Sequence, residues 1–380
     1  MPPILCFSTV DWDYLRHRPQ IIMSHLAECG YPVVYVDTLG LRSPTIRDWS
    51  RIVSRLSNFW MKNYKKQDGL PKGLRVLSPI LLPFLNSKLL RRLNIWFLVP
   101  FFKKALQEYS SEMPIIWVYL PTWTVLECIK RIPHHLLVYE CIDSLANNPA
   151  GVSRGYVSAE AEILRQADLV ITTSQELQRE KASINANTHW VPAGVDARFF
   201  DITEPAEQVM CIRGPRIGFF GALDHRLDVA LLKELVINHR EWSFVLIGPI
   251  RVNLDELVSE DNCHYLGVKP YEQIPAFVEA LDVVILPYSI DGFTRNIFPA
   301  KIYECLALGK PVVATAIPAL NDLDEWVYIA SDVPDFTVAI QSALSEDKPH
   351  IIRRRQILAS NNSWDKRYKE IKNYLGELQD

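Results

Sequence analysis

Short apolar runs rich in β-branched residues recur along the chain, separated by segments with helical spacing of apolar positions. In the first half the runs fall at 4–8, 33–37, 74–77, 115–119, 136–140, 169–172 and 189–191. In the second half they fall at 216–220, 243–247, 264–266, 283–286, 311–314 and 327–329. Gly, Pro or Asp bounds many of them, and few polar positions interrupt them. That pattern fits strands covered on both faces, as in a parallel sheet. Helical segments such as 18–29 and 228–238 lie between, giving a βαβ rhythm. The rhythm lapses across 192–215, PAGVDARFFDITEPAEQVMCIRGP, which is rich in Gly, Pro and Asp. The pattern therefore predicts an α/β chain of two doubly wound parallel-sheet domains, 1–198 and 215–362, joined by a linker at 199–214. A last helix within 363–380 is expected to cross back to the first domain. Ligands of such sheets bind beyond the carboxyl ends of the strands. Two such sheets facing a cleft would place a different ligand on each wall.

Composition narrows the class. With 380 residues, 48% hydrophobic and 22% charged, the chain is globular and longer than one core usually supports. The formal net charge is −3, which excludes a uniformly basic nucleic-acid binder. That sum conceals an asymmetry. Residues 51–104 carry twelve Lys/Arg and one acid, Asp68, for a local +11, leaving −14 elsewhere. Phe59, Trp60, Tyr64, Phe84, Trp96, Phe97, Phe101 and Phe102 interleave with those cations. Such a mixture suits an anionic membrane surface; it also suits amphipathic helices with basic faces in water. The best apolar stretch, 79–102, is broken by Lys88, Arg91 and Arg92, so no bilayer span is expected. No signal peptide is read at the N-terminus. The expected location is the cytosol, docked on the inner face of the membrane. The seven cysteines form no CxxC pair and read as buried, reduced thiols, with neither a zinc site nor a disulfide frame.

The richest stretch for chemistry is 298–315, FPAKIYECLALGKPVVAT. A loop ends at Pro299, a helix runs to Leu308, Gly309 stops it and Pro311 opens a buried strand. A helix start at the carboxyl edge of a sheet favours an anion, and Lys301 adds a full charge in the first turn. Glu304 follows one turn later on the same face, where a carboxylate can accept from two vicinal hydroxyls such as those of a ribose. Cation and carboxylate together fit a nucleoside diphosphate, with Tyr303 beside them. Alternatively the two are a surface ion pair worth a few tenths of a kcal/mol. The turn IGFFGAL at 217–223 is a second phosphate candidate: Gly221 would permit close approach to the backbone, and Arg226 follows in the loop. Tyr288, Arg295 and Asn296 are placed to line the same pocket, and the loop 289–297 is expected to order on donor binding. Neither GxGxxG after a strand nor GxxxxGK[ST] is present.

These segments, with FVLIGP at 244–249 and VPAGVD at 191–196, resemble the GT-B glycosyltransferases of the family 4 type. The resemblance extends to bacterial polysaccharide and teichuronic-acid transferases and covers nearly the whole chain. It includes DWDYLRHRPQ at 11–20, which is similar to the opening of that subgroup. It implies a nucleotide-sugar site in the second domain and a glycan or lipid-linked acceptor in the first, within cell-surface polysaccharide synthesis, with no metal or other cofactor required. Retaining members carry two glutamates separated by seven residues. Here the second aligns with Glu304 and the first falls on Asn296. Related xanthan-type glucuronosyltransferases invert, and they share a Lys three residues before the ribose-binding position.

Inversion needs a base near the acceptor hydroxyl. Asp143, just beyond the strand 136–140, is the favoured candidate, and the resemblance places an Asp base in the corresponding loop. Glu140, and Asp11 or Asp13, are its rivals. Asp11 and Asp13 form a DxD, but its position and architecture argue against a metal role. Trp12, Arg16, His17 and Arg18 are expected to shape the acceptor site, although Arg18 before Pro19 also suits a plain helix start. Arg353, Arg354 and Arg355 read as a solvated helix face, and His134–His135 as a polar bend. The competing functions are a nucleotide-sugar epimerase of the same architecture and a non-catalytic scaffold with a decayed site.

Overall fold

The computed structural model describes residues 1–14, 16–39, 69–79, 81, 88–109, 112–147, 154–201, 204–346 and 349–378. Residues 51–68, 80 and 82–87 of the basic stretch lie outside the described residues. So do the aromatic positions Phe59, Trp60, Tyr64 and Phe84.

The chain divides into two compact units. The first comprises Met1–Thr173, Leu177–Trp190 and Lys372–Asp380; the second comprises Ser174–Glu176 and Val191–Ile371. Seven strands form the first unit's sheet among the described residues: β1 (Ile4–Phe7), β2 (Val33–Val36), β3 (Leu74–Leu77), β4 (Ile115–Val118), β5 (Leu136–Cys141), β6 (Leu169–Thr172) and β7 (Thr188–Trp190). Their order is β3-β2-β1-β4-β5-β6-β7, and every pair is parallel. The second unit's sheet is built from β8 (Arg216–Phe220), β9 (Ser243–Ile247), β10 (Cys263–Tyr265), β11 (Val283–Leu286), β12 (Val312–Thr315) and β13 (Tyr328–Ala330). They run β10-β9-β8-β11-β12-β13, again all parallel. Strands β1, β4, β9 and β11 are buried at every position, and β8 at every position after Arg216. This is why their sequences read as apolar runs without alternation. Each sheet has one point where strand order reverses, between β1 and β4 and between β8 and β11. These are the positions where doubly wound sheets open a crevice for ligand.

Two readings of local sequence change here. The chain passes from the first unit to the second at Trp190, so 199–214 belongs to the second unit. It carries a short helix, Glu207–Met210, and buries Phe199 and Val209 in that unit's core. Two well-spaced apolar anchors sufficed to fix a segment with no visible period. The second change concerns Arg355, which is buried. Its guanidinium fork donates to both Glu346 carboxylate oxygens, at 2.6 and 3.1 Å, and to the Gly309 carbonyl at 3.3 Å. Of the three consecutive arginines, Arg353 and Arg354 are exposed as expected, and Arg355 turns inward.

The cysteines are all unbridged. Cys6, Cys128, Cys141, Cys263 and Cys305 are buried as expected, but Cys29 and Cys211 are exposed, because each caps the C-terminal end of a helix where the chain turns at the surface.

Candidate active site

Parallel strands in register deliver their carboxyl ends to one edge. In the second unit that edge receives Gly221 after β8, Gly248 after β9, Tyr288 after β11 and Thr315 at the end of β12. Gly221 has φ +109° and Gly248 φ +136°, conformations that disfavour any residue with a Cβ. Their packing explains the choice further. A Cβ on Gly248 would meet the Gly221 carbonyl oxygen at 2.0 Å, and a Cβ on Gly221 would meet the Lys301 ammonium nitrogen at 2.6 Å. The motifs IGFFGAL and FVLIGP therefore abut through two glycines, and the first presents bare backbone to Lys301.

Lys301 opens the helix Lys301–Ala307. Its Nζ donates to the Tyr288 hydroxyl at 3.0 Å and lies 4.6 Å from the Phe219 ring centroid and 5.7 Å from that of Tyr288. An ammonium has three donors, and one goes to Tyr288. Among the described residues no carboxylate comes within 4.0 Å of it, so the ion pair with Glu304 does not form. The positive charge is held by a hydroxyl and aromatic faces, which orient it without neutralising it.

Glu304, one turn on, is half-buried, and its Oε1 accepts from the Tyr271 hydroxyl at 3.1 Å. Burial pushes its carboxyl up to about 7, against the downward pull of the Tyr271 hydrogen bond and the Lys301 charge; Asp196 adds to the upward push. Tyr271 is itself driven upward by burial and by Glu304. The Arg198 guanidinium lies 5.2 Å from the Tyr271 ring centroid, and its Nε donates to Asp196 at 3.0 Å. Tyr271, Asp196 and Arg198 were not singled out by sequence reasoning. Only the presence of VPAGVD as a motif hinted at Asp196, and nothing in the sequence pointed to Tyr271.

The remaining donor-side candidates are placed differently. Arg226 forms a bidentate pair with Asp224, at 2.8 and 2.7 Å, and its carbonyl accepts from the Ser289 N–H. Asn296 donates back to the Gly292 carbonyl at 2.7 Å. The loop 289–297 is braced internally: Asp291 accepts from the N–H groups of Phe293 and Thr294, at 2.8 and 2.7 Å. Tyr303 is buried against Phe298, ring centroids 5.2 Å apart, with its hydroxyl toward Arg367. It lies off the face that carries Lys301 and Glu304, so its expected place in the pocket is corrected to one in the packing of the helix. The fault lay in sequence adjacency: residues two apart on a helix do not share a face.

In the first unit, the same logic brings together the ends of β1, β2, β3 and β5. The segment after β1 is pinned by backbone bonds. Trp12 N–H donates to Asp37 at 2.8 Å, Thr38 N–H donates to Asp11 at 3.1 Å, and Gln20 donates to the Trp12 carbonyl at 3.0 Å. His17 starts the helix Arg18–Glu28, its N–H donating to Gln20 at 2.6 Å, and its ring stacks on Tyr14 with centroids 5.7 Å apart. Asp13, Arg16, His17 and Asp143 are exposed and Trp12 is half-buried. Arg18 and Glu140 are not. Arg18 Nε pairs with Glu140 in a buried salt bridge, and Trp117 Nε1 donates to the other carboxylate oxygen at 2.8 Å. Glu140 is fully buried and committed to these donors, which corrects its candidacy as a base. Arg18 correspondingly serves the interior, not the acceptor. Its position before Pro19 at a helix start was the other reading, and burial of a charge is tolerated only with such pairing.

Among the described residues no helix is long and apolar enough to cross a membrane, and no three His, Cys, Asp or Glu side chains are grouped to hold a metal ion.

Residues 214–346, the greater part of the second unit, match the family of group 1 glycosyl transferases. The match is confined to the second unit, while the two parallel-sheet units together have the GT-B architecture. The chain is 25% identical over 291 residues to TuaH of Bacillus subtilis (strain 168), a glycosyltransferase assigned to teichuronic acid biosynthesis; the alignment covers 70% of this chain and 73% of TuaH. A 2-deoxystreptamine glucosyltransferase of Streptomyces kanamyceticus is 30% identical over 119 residues, 29% of this chain and 30% of that protein. Among solved structures, sucrose-phosphate synthase from Thermosynechococcus elongatus superposes with a TM-score of 0.70 at 18% identity, covering 100% of this chain and 99% of that one. Anabaena Alr3699/HepE in complex with UDP gives 0.66 at 16% identity, covering 99% and 100%.

Proposed function

We propose that this protein transfers a sugar from a nucleoside diphosphate sugar to a glycan or lipid-linked acceptor during synthesis of a bacterial cell-surface polysaccharide. One observation carries the donor half of the reading: the Lys301 ammonium is lodged against the bare backbone of Gly221, held by Tyr288 and unpaired with any described carboxylate. A diphosphate leaving group brought to that edge meets a fixed full charge, so its developing charge is met by protein groups without a metal. Glu304, one turn away, accepts from the ribose hydroxyls. The similarity to TuaH supports the polysaccharide assignment, and the UDP bound to the HepE relative makes UDP-sugars the first donors to test.

On the acceptor side, the exposed Asp143 beyond β5 is proposed as the base, with Trp12, Arg16 and His17 shaping the acceptor site and Asp13 as the alternative base. Attack by an acceptor hydroxyl on the anomeric carbon breaks the bond to the diphosphate. The hydroxyl proton passes to the Asp143 carboxylate and the electron pair leaves with the diphosphate.

Calorimetric titration of UDP-, GDP- and dTDP-sugars into the wild type and Lys301→Ala tests the donor assignment. One nucleotide sugar is expected to bind the wild type, and Lys301→Ala should weaken it at least tenfold. Binding of none would leave the scaffold reading standing. Conversion of donor without acceptor would favour an epimerase. Asp143→Asn should keep donor affinity and lose transfer; retained transfer would move the base to Asp13.

A further inference from the structure

The helix Lys88–Gln107 buries one face and exposes another that is itself apolar. Ile95, Leu98, Val99, Phe102, Ala105 and Leu106 enter the first unit's core, where the Phe102 ring meets Phe7 edge-on with centroids 5.4 Å apart. The opposite face bears Leu89, Leu93, Trp96, Phe97 and Pro100. Trp96 is 69% exposed, Leu89 67% and Phe97 61%, and the two rings lie edge to face at 4.7 Å. At 100° per residue, these positions share one arc of roughly 140°. Exposed Arg92, Lys103 and Lys104 lie in the same arc. The helix holds five basic residues and no acid.

We infer that this face lies in the surface of an anionic lipid bilayer, with Trp96, Phe97, Leu89 and Leu93 sunk to headgroup depth and Arg92, Lys103 and Lys104 on the lipid phosphates. Charge selects this occupant. A second copy seated face to face would set these cations against their own kind, whereas an anionic surface complements them. The aromatic side chains select lipid over a purely ionic partner, because rings of this exposure gain little from phosphate alone and much from the interfacial zone. The helix lies along the membrane instead of crossing it, anchored to the protein by its buried face. The inference concerns the first unit's surface and does not depend on the transfer reaction, whose donor site lies in the second.

The test is sedimentation of the full chain with vesicles of phosphatidylcholine alone and of phosphatidylcholine with phosphatidylglycerol. The wild type is expected to pellet with the anionic vesicles at low salt and to stay in solution with the neutral ones. Each Lys or Arg at such a surface contributes about five-fold in partitioning, so Arg92→Gln/Lys103→Gln/Lys104→Gln should weaken it on the order of a hundredfold. Trp96→Ser/Phe97→Ser should abolish pelleting with an unchanged melting temperature, since both side chains are exposed. Brominated lipid should quench wild-type fluorescence more than that of Trp96→Phe, which needs no change in fold. Absence of pelleting by the wild type, or equal pelleting by the Trp96→Ser/Phe97→Ser protein, overturns the inference. A wild-type dimer that this variant turns to monomer assigns the face to a second copy instead. Donor calorimetry on the same preparations separates either result from failure of the transferase reading.

Discussion

A carboxyl group that titrates near neutrality inside the proposed nucleotide site would make donor binding a function of pH. Burial raises Glu304 to about 7, from the usual 4.5. If the ribose hydroxyls donate to Glu304, the ionised form is the one that binds. Apparent affinity then falls by the fraction protonated: little at pH 8, about half at pH 7, and roughly tenfold at pH 6. The titrant should be an intact nucleotide sugar, whose esterified phosphates do not titrate in this window. Calorimetry at pH 6, 7 and 8 should therefore show affinity rising about tenfold with pH and proton release on binding below pH 7. Tyr271→Phe removes the hydrogen bond that favours the carboxylate, so the midpoint should move alkaline by about one unit. Glu304→Gln should bind more weakly and show no slope. The same shift has an opposite consequence for the empty protein. Because the folded state holds this proton longer than the unfolded chain, the contribution to stability is fully present below about pH 4.5. It is lost as pH rises to about 7, by about 2–3 kcal/mol. Glu304→Gln should flatten that limb of the melting profile. A wild-type affinity that is unchanged from pH 6 to 8 would refute the reasoning, because it would mean Glu304 does not meet the donor as a carboxylate.

Two further outcomes follow from the geometry. Gly221→Ala forces a methyl into the Lys301 ammonium at a φ of +109°, and should weaken donor binding at least tenfold while shifting the melting temperature by only a few degrees; calorimetry beside a thermal melt checks both. Arg355→Ala leaves the half-buried Glu346 carboxylate without its fork and frees the Gly309 carbonyl, so a urea titration should register a loss of about 2–4 kcal/mol.

Much of this protein was legible before folding was considered. Strand runs such as 115–119 and 283–286 are apolar at every position because both faces are covered, and that signal is local. The pair Lys301 and Glu304 was readable because a helix fixes what lies one turn away. Tyr303 was misread by the same helix, since adjacency in sequence is not adjacency on a face. Arg355 and Glu140 were misread because the partners that bury them, Glu346 for one and Arg18 for the other, are distant in sequence.

The sequence by itself determined the two α/β units, the order of their elements and the placing of Lys301 and Glu304 one turn apart on one helix. Each of these depends on spacing within one segment. Tertiary structure alone decided which charges face inward, that Gly221 and Gly248 touch, and that burial raises Glu304 while Tyr271 hydrogen-bonds its carboxylate. Those facts depend on where strand ends from different segments meet. A charge is costly to bury without a partner, and the partner is found only when the chain is folded.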